Sequence, residues 1–304
     1  MSDMDTTYSV YTQHTDNIFA VTWSPNGAYV ASGGRDRSVQ VWQPFTRTRL
    51  LTFHAHTGCI LSIAWSPDSC YLATGCTDGL VYVWQADSGK IITSYRGHVR
   101  FVRSVSWSPD GRFIASGGEY GDNTVQVWEA FTGQHLYTHT TQYRIFAAPW
   151  SPQDAYIASA SFDGCIQVWD ARDGKIYTTY RDHTGPVYTA AWSPDGATLI
   201  SGDHNGGMHL WSAETGQLQR VFTGHMRAIK TVAFSPTGQH IASGGDDMTI
   251  YIWLTQTGEI IANYKHHTTW IRTLTWSPDG NTLVSASDKT AHIWSYANYA
   301  TAGS

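Results

Sequence analysis

The sequence predicts an all-β fold: a propeller of seven four-stranded antiparallel blades, its ring closed by the N-terminal strand pairing into the C-terminal blade. Three observations carry this expectation. Trp23, Trp65, Trp107, Trp150, Trp192 and Trp276, with Phe234 in the one remaining slot, each precede Ser-Pro and stand 42 or 43 residues apart. A second series, Trp42, Trp84, Trp128, Trp169, Trp211, Trp253 and Trp294, recurs every 41 to 44 residues. Self-similarity at this period, with four short strand-like segments per unit, marks a radial β architecture. The third observation concerns the ends. Residues after Trp294 have little strand character, whereas residues 6–13 align with residues 90–97, Tyr11 matching Tyr95. They are expected to form the outer strand of the blade whose other three strands lie in residues 270–294, which removes an open seam.

Unit three shows why each element forms. Phe101 to Trp107 alternates and carries Val102 and Val105, which reads as a first strand. Ser108-Pro109-Asp110-Gly111 is a turn, with Pro presetting φ and Gly accepting a positive one. Phe113 to Ser116 and Thr124 to Trp128 make the second and third strands, and Phe131-Thr132-Gly133 leads into an outer strand, Gln134 to Thr138. Such a blade cannot bury both faces alone, so neighbours must stack, with the two Trp series between them. A large aromatic ring buries on the order of 150–250 Å². The units run approximately 14–55, 56–97, 98–140, 141–182, 183–224, 225–266 and 267–294 plus 6–13, and no linker or low-complexity tract interrupts them. One domain over residues 1–304 is therefore expected, although length alone would suggest about two.

Composition narrows the function classes. The formal net charge is −5 with both signs interspersed, which argues against nucleic acid as a partner. No run of about 18 apolar residues marks a membrane span. The opening residues lack the basic and apolar regions of a signal peptide. The four cysteines, Cys59, Cys70, Cys76 and Cys165, show no C-x-x-C spacing and read as small hydrophobes of a reducing, cytoplasmic setting.

Over residues 6 to 294 the chain resembles the WD-repeat β-propeller family, with the closely similar blades of a bacterial-type repeat protein. The resemblance implies a hydrogen-bonded His, Ser or Thr, Asp and Trp in each blade. The matching histidines are His14, His56, His98, His183, His225 and His267, nine residues before the first-strand Trp or Phe. The hydroxyls are Ser32, Thr74, Ser116, Ser159, Ser201, Ser243 and Ser285, and the carboxylates Asp36, Asp78, Asp122, Asp163, Asp247 and Asp288. Unit four departs, with Thr141 at the His position, His139 two residues before it, and Pro149 ahead of its Trp; unit five has Asn205 for Asp. These two units are expected to lack the complete network.

Ser, His and Asp together suggest a hydrolase, but one catalytic centre does not need six or seven copies. Buried polar groups that must find partners explain the repetition. No nucleophile elbow and no P-loop is present. Glu occurs only at 119, 129, 214 and 259, and the remaining His follow no metal-ligand spacing. A non-enzymatic protein without cofactor or metal is the expectation, with a channel-site hydrolase as the lesser alternative.

On a repeated scaffold, function lies where the repeat varies. The resemblance implies docking through residues three and five after the His and through the residue before the Asp. Those positions supply Phe19, Arg35, Phe101, Arg103, Arg144, Phe146, Phe162, Tyr188, His204, Lys230, Asp246, Trp270 and Arg272. Trp270 is the one Trp of fourteen outside both repeat series, and Glu119-Tyr120 is a two-residue insertion at the same rim. Aromatics and cations on one face suit a protein-binding surface. The expected function is a scaffold that binds a peptide or protein loop at the channel mouth, the partner acidic or phosphorylated. The alternative is a regulatory or structural repeat module of a larger protein such as a kinase.

Overall fold

The computed structural model describes residues 7–153 and 155–295, and its strands form seven four-stranded antiparallel sheets. Residue 6, the expected start of the closing strand, lies outside the described residues. Blades 1 to 6 each take four consecutive strands; blade 3, for instance, is built from Val102–Trp107, Phe113–Gly118, Thr124–Glu129 and His135–Thr140. Blade 7 takes three strands from the C-terminal end and its outer strand, Thr7–Tyr11, from the N-terminal end. Tyr11 lies opposite Ala291 and Val10 opposite His292, so the ring is latched by a strand pair between the two ends of the chain.

The core is distributed between blades. Seven apolar clusters occur, and each draws its residues from two neighbouring blades. The cluster at the closure joins Ile18, Val21, Val30 and Trp42 of blade 1 to Tyr11, Val284, Ala291 and Ile293 of blade 7. The third-strand tryptophans are the largest fully buried side chains. An outer-strand ring of one blade stacks on the third-strand Trp of the next, as Tyr11 does on Trp42 at 4.2 Å and Tyr95 on Trp128 at 4.4 Å. The first-strand series holds the blades differently. Trp107 donates its indole N–H to the Ala64 carbonyl at 3.1 Å and Trp276 to that of Ala233 at 3.2 Å, each acceptor in the preceding blade.

Blade 4 shows what its proline does. Its inner strand, Ile145–Ala147, stops short of Pro149, which has no N–H to offer a neighbour. Blade 3 compensates: Ala148 N donates to Ser104 Oγ at 2.9 Å, and Ser106 Oγ donates to the Ala148 carbonyl at 2.7 Å. Among the described residues, no helix is long and apolar enough to cross a membrane.

Candidate functional site

The inner strands of the blades line a central channel and contribute short runs at its mouth, such as Phe19-Ala20-Val21 and Leu61-Ser62-Ile63. The residues five after the His positions thereby converge. Phe19, Arg103, Phe146, Tyr188, Lys230 and Arg272, with Leu61 and Trp270, line one cavity of about 330 Å³. A second cavity of about 340 Å³ adjoins it, shared through Trp270 and Arg272 and reaching Asn17, Met248 and Asp288.

Cations and aromatic rings are interleaved around this mouth. Arg144 lies over three rings, 4.2 Å from Phe162, 4.8 Å from Tyr120 and 5.4 Å from Phe146. Phe146 meets Tyr188 edge-on at 4.8 Å, and Lys230 Nζ sits 3.7 Å above the Tyr188 ring. Tyr188 Oη hydrogen-bonds His204 Nδ1 at 3.1 Å. On the other side Arg272 lies 4.9 Å from the Phe19 ring and 5.8 Å from that of Trp270. Phe101 joins through Tyr120, 6.0 Å away. Arg35 does not join: it lies outside the cavity, 62% exposed, beside Asp16 at 3.7 Å. Trp270 is 48% exposed despite its size.

The charge balance differs from the expected five cations against one carboxylate. Lys230 pairs with Asp246 at 3.5 Å, as the rim set allows, but Arg144 also approaches Glu119 at 3.9 Å, and Arg35 has Asp16. Glu119 belongs to the two-residue insertion that the sequence places at this rim, and its side chain is buried. Among the described residues, Arg103 and Arg272 have no carboxylate within 4.0 Å. Burial pushes the Lys230 ammonium down from its ordinary range, Asp246 opposes this, and Arg103 and Arg272 add to the depression. Burial and then Arg103 likewise lower Arg272. Positive charge is thus held crowded and partly desolvated, a setting that favours an incoming anion. Asp246 Oδ1 is buried without a hydrogen-bond partner among the described residues.

A larger depression of about 540 Å³ lies between blades 5 and 6 and reaches Phe234, His240 and Leu254. It coincides with the slot where Phe234 stands in for the repeated Trp, and turn residues make up much of its lining.

The Ser-His-Asp sets recur around the ring as hydrogen-bonded networks. In blade 1 the His14 ring bonds Asp36 through Nδ1 at 2.7 Å and Ser32 through Nε2 at 2.8 Å, and Trp42 donates to Ser32 at 3.0 Å. Blades 2, 3 and 6 repeat this with His56–Asp78 at 3.3 Å, His98–Asp122 at 3.2 Å and His225–Asp247 at 2.7 Å. The blade hydroxyls Ser32, Thr74, Ser116, Ser201, Ser243 and Ser285 are each 0% exposed, so no substrate reaches them.

Two expectations about these networks need correction. Blade 5 is complete, because Asp203 reaches His183 at 3.0 Å from two residues before Asn205, and also accepts the Asn205 and Gly207 N–H groups. Blade 7 is incomplete instead. Its second hairpin is one residue shorter, with Ser287 directly opposite Thr290, and Asp288 occupies the tight turn at φ 48°. His267 bonds Ser285 at 2.7 Å, but its buried Nδ1 has no partner. In blade 4, Thr141 bonds backbone carbonyls, and His139 takes the outer-strand aromatic position, stacked on Trp169 at 4.7 Å. Among the described residues one group could hold a metal: His56, Cys76 and Asp78, with ligand atoms within 4.8 Å of one another. Two of the three already serve blade 2's own network.

Comparison with known proteins agrees with this architecture. Residues 59–214 match the family described as IFT122 first beta-propeller. Residues 6–43, 216–253 and 258–295 match the family described as WD domain, G-beta repeat. The angio-associated migratory cell proteins of Homo sapiens, Pongo abelii and Canis lupus familiaris are each 31% identical to the chain over 68 residues. That stretch is 22% of the chain and spans only 16% of those relatives' own length.

Proposed function

Given that the chain belongs to the WD-repeat β-propeller family, whose fold is typical of protein-interaction scaffolds, we propose that it is a non-enzymatic scaffold holding a peptide or protein loop at the channel mouth. The observation that carries this is the convergence of Arg103, Lys230 and Arg272 with Phe19, Phe146, Tyr188 and Trp270 on one cavity. Large rigid rings beside cations form the kind of surface on which binding energy concentrates. Arg103 and Arg272, with no carboxylate within 4.0 Å among the described residues, favour an acidic or phosphorylated residue in the partner, set beside an apolar anchor that occupies the rings. The free Asp246 Oδ1 offers an acceptor for a backbone N–H of the bound segment. A cytoplasmic setting belongs to the same proposal, since the four cysteines are free thiols.

Selection from a displayed peptide library tests this reading. Wild-type protein is expected to enrich segments with acidic or phosphorylated residues next to a large apolar one. The double variant Arg103→Glu, Arg272→Glu is expected to lose that preference while keeping its fold. Identical peptides selected by both proteins would contradict the proposal.

A further inference from the structure

Blade 4 is the one blade with no histidine at the network position, and the space that ring would fill is open. Thr141 stands four residues before the buried inner-strand Ile145, as His14 stands before Ile18 and His183 before Val187. A cavity of about 300 Å³ lies there, lined by Thr141, Ser159, Asp163, Cys165, Gln167 and Arg181. Ser159 and Asp163 are the hydroxyl and carboxylate that hold the imidazole in other blades. There, Nε2 lies 2.7 to 2.9 Å from the hydroxyl. In blade 4 neither group holds a histidine. Ser159, 2% exposed, accepts the Trp169 indole N–H at 3.3 Å and makes only a long bond to the Gln167 carbonyl at 3.4 Å. Asp163, exposed at the edge of the cavity, takes the Ser161 hydroxyl and the Cys165 N–H on Oδ1 and carries no imidazole.

We propose that this cavity binds an imidazole-bearing ligand. The ring N–H donates to Asp163 Oδ2, and the second ring nitrogen accepts the Ser159 hydroxyl. Gln167 covers one face of the ring, in the place His209 holds at 4.1 Å from His183 in blade 5. The cavity is roomier than one ring requires, and exposed Arg181 lines it, with Nη1 2.8 Å from Cys165 Sγ and no carboxylate within 4.0 Å among the described residues. An imidazole that carries a carboxylate therefore fits better than one that carries an ammonium. The site is separate from the channel mouth and stands whether or not the mouth binds a protein.

The test is thermal unfolding and calorimetry of the full chain at a pH about 1.5 units above the ordinary histidine range, with imidazole, imidazole-4-acetate and histamine as probes. Binding to the folded state raises Tm with the logarithm of probe concentration above Kd. The expected affinity order is imidazole-4-acetate, imidazole, histamine. Thr141→His supplies the ring from within and is expected to raise Tm and abolish the response to all three. Asp163→Asn is expected to weaken imidazole binding about tenfold, the worth of one charge-assisted hydrogen bond. Arg181→Ala is expected to level the acetate and amine probes. No response in the wild type, or an equal response in Thr141→His and Asp163→Asn, would overturn the site. A preference for the acetate that survives Arg181→Ala would overturn the role given to Arg181.

Discussion

At the scale of the residue, the fold turns on hydroxyls that no solvent reaches. Each one ties a histidine to a tryptophan across strands, and removing a partner leaves a desolvated polar atom behind. Asp203→Ala is therefore expected to cost about 1–3 kcal/mol, whereas Asp288→Asn, which keeps the left-handed turn at φ 48° and has no histidine to hold, is expected to leave stability nearly unchanged. Urea midpoints of the two variants check this. Acid acts on the same networks. Burial alone would raise the Asp36 and Asp122 carboxyls, but the hydrogen bonds and charge of His14 and His98 outweigh it and bring each down to about 2. A depressed folded-state pKa contributes stability that is complete above the unfolded value of about 4 and is lost as pH falls from there toward about 2. His267 behaves differently: burial, then the neighbouring His292 and His266, lower it to about 3. The unfolded chain takes up that proton first, so its contribution fades below about pH 6.5. The stability gap between wild type and Asp36→Asn is expected to be wide at pH 6 and to narrow steadily below pH 4. A gap independent of pH would contradict the assignment.

At the scale of the element, the blades differ where one residue is gained, lost or exchanged. The outer strand Thr7–Tyr11 is the clearest case, since it places Tyr11, 1% exposed, flat against Trp42 of blade 1. Deleting residues 1–13 bares the edge of the strand Thr290–Ser295 and removes that ring. A loss of several kcal/mol or aggregation is expected, and an unchanged Tm in the truncated protein would refute the latch. This strand was legible in the sequence because residues 6–13 repeat residues 90–97, and the blades were legible because burial forces a fixed period on tryptophan. The networks of blades 1, 2, 3 and 6 were legible from the spacing between Asp and the third-strand Trp. Counting back six residues from Trp294 reaches Asp288, yet the shorter hairpin of blade 7 moves that position into the turn. Counting back from Trp211 reaches Asn205, yet the carboxylate comes from Asp203 on the strand itself. Blade 7 breaks the spacing rule by losing a residue from its hairpin, whereas blade 5 keeps the usual hairpin length and takes its carboxylate from another position. Asp16 escaped because it is a neighbour of Arg35 in space that no repeat position names.

At the scale of the whole molecule, seven interfaces of similar composition close a ring, and one end of its channel collects what the repeat leaves free. The two arginines with no carboxylate within 4.0 Å among the described residues belong to blades 3 and 7, so the ring brings together charges more than 160 residues apart in sequence. If they steer an anionic segment inward, Arg103→Glu is expected chiefly to slow association and to flatten its dependence on salt. Stopped-flow rates at two ionic strengths read this directly, and an unaltered salt slope would count against steering. Trp270 bears most of the account, because neither Trp series requires it and it stands half exposed beside Arg272. The decisive measurement is partner affinity and Tm determined together for Trp270→Ala. The account predicts a binding loss of about 2 kcal/mol or more with Tm unchanged. A lowered Tm with partner affinity intact would show that the ring fills the channel for stability, and the docking site would have to be sought elsewhere.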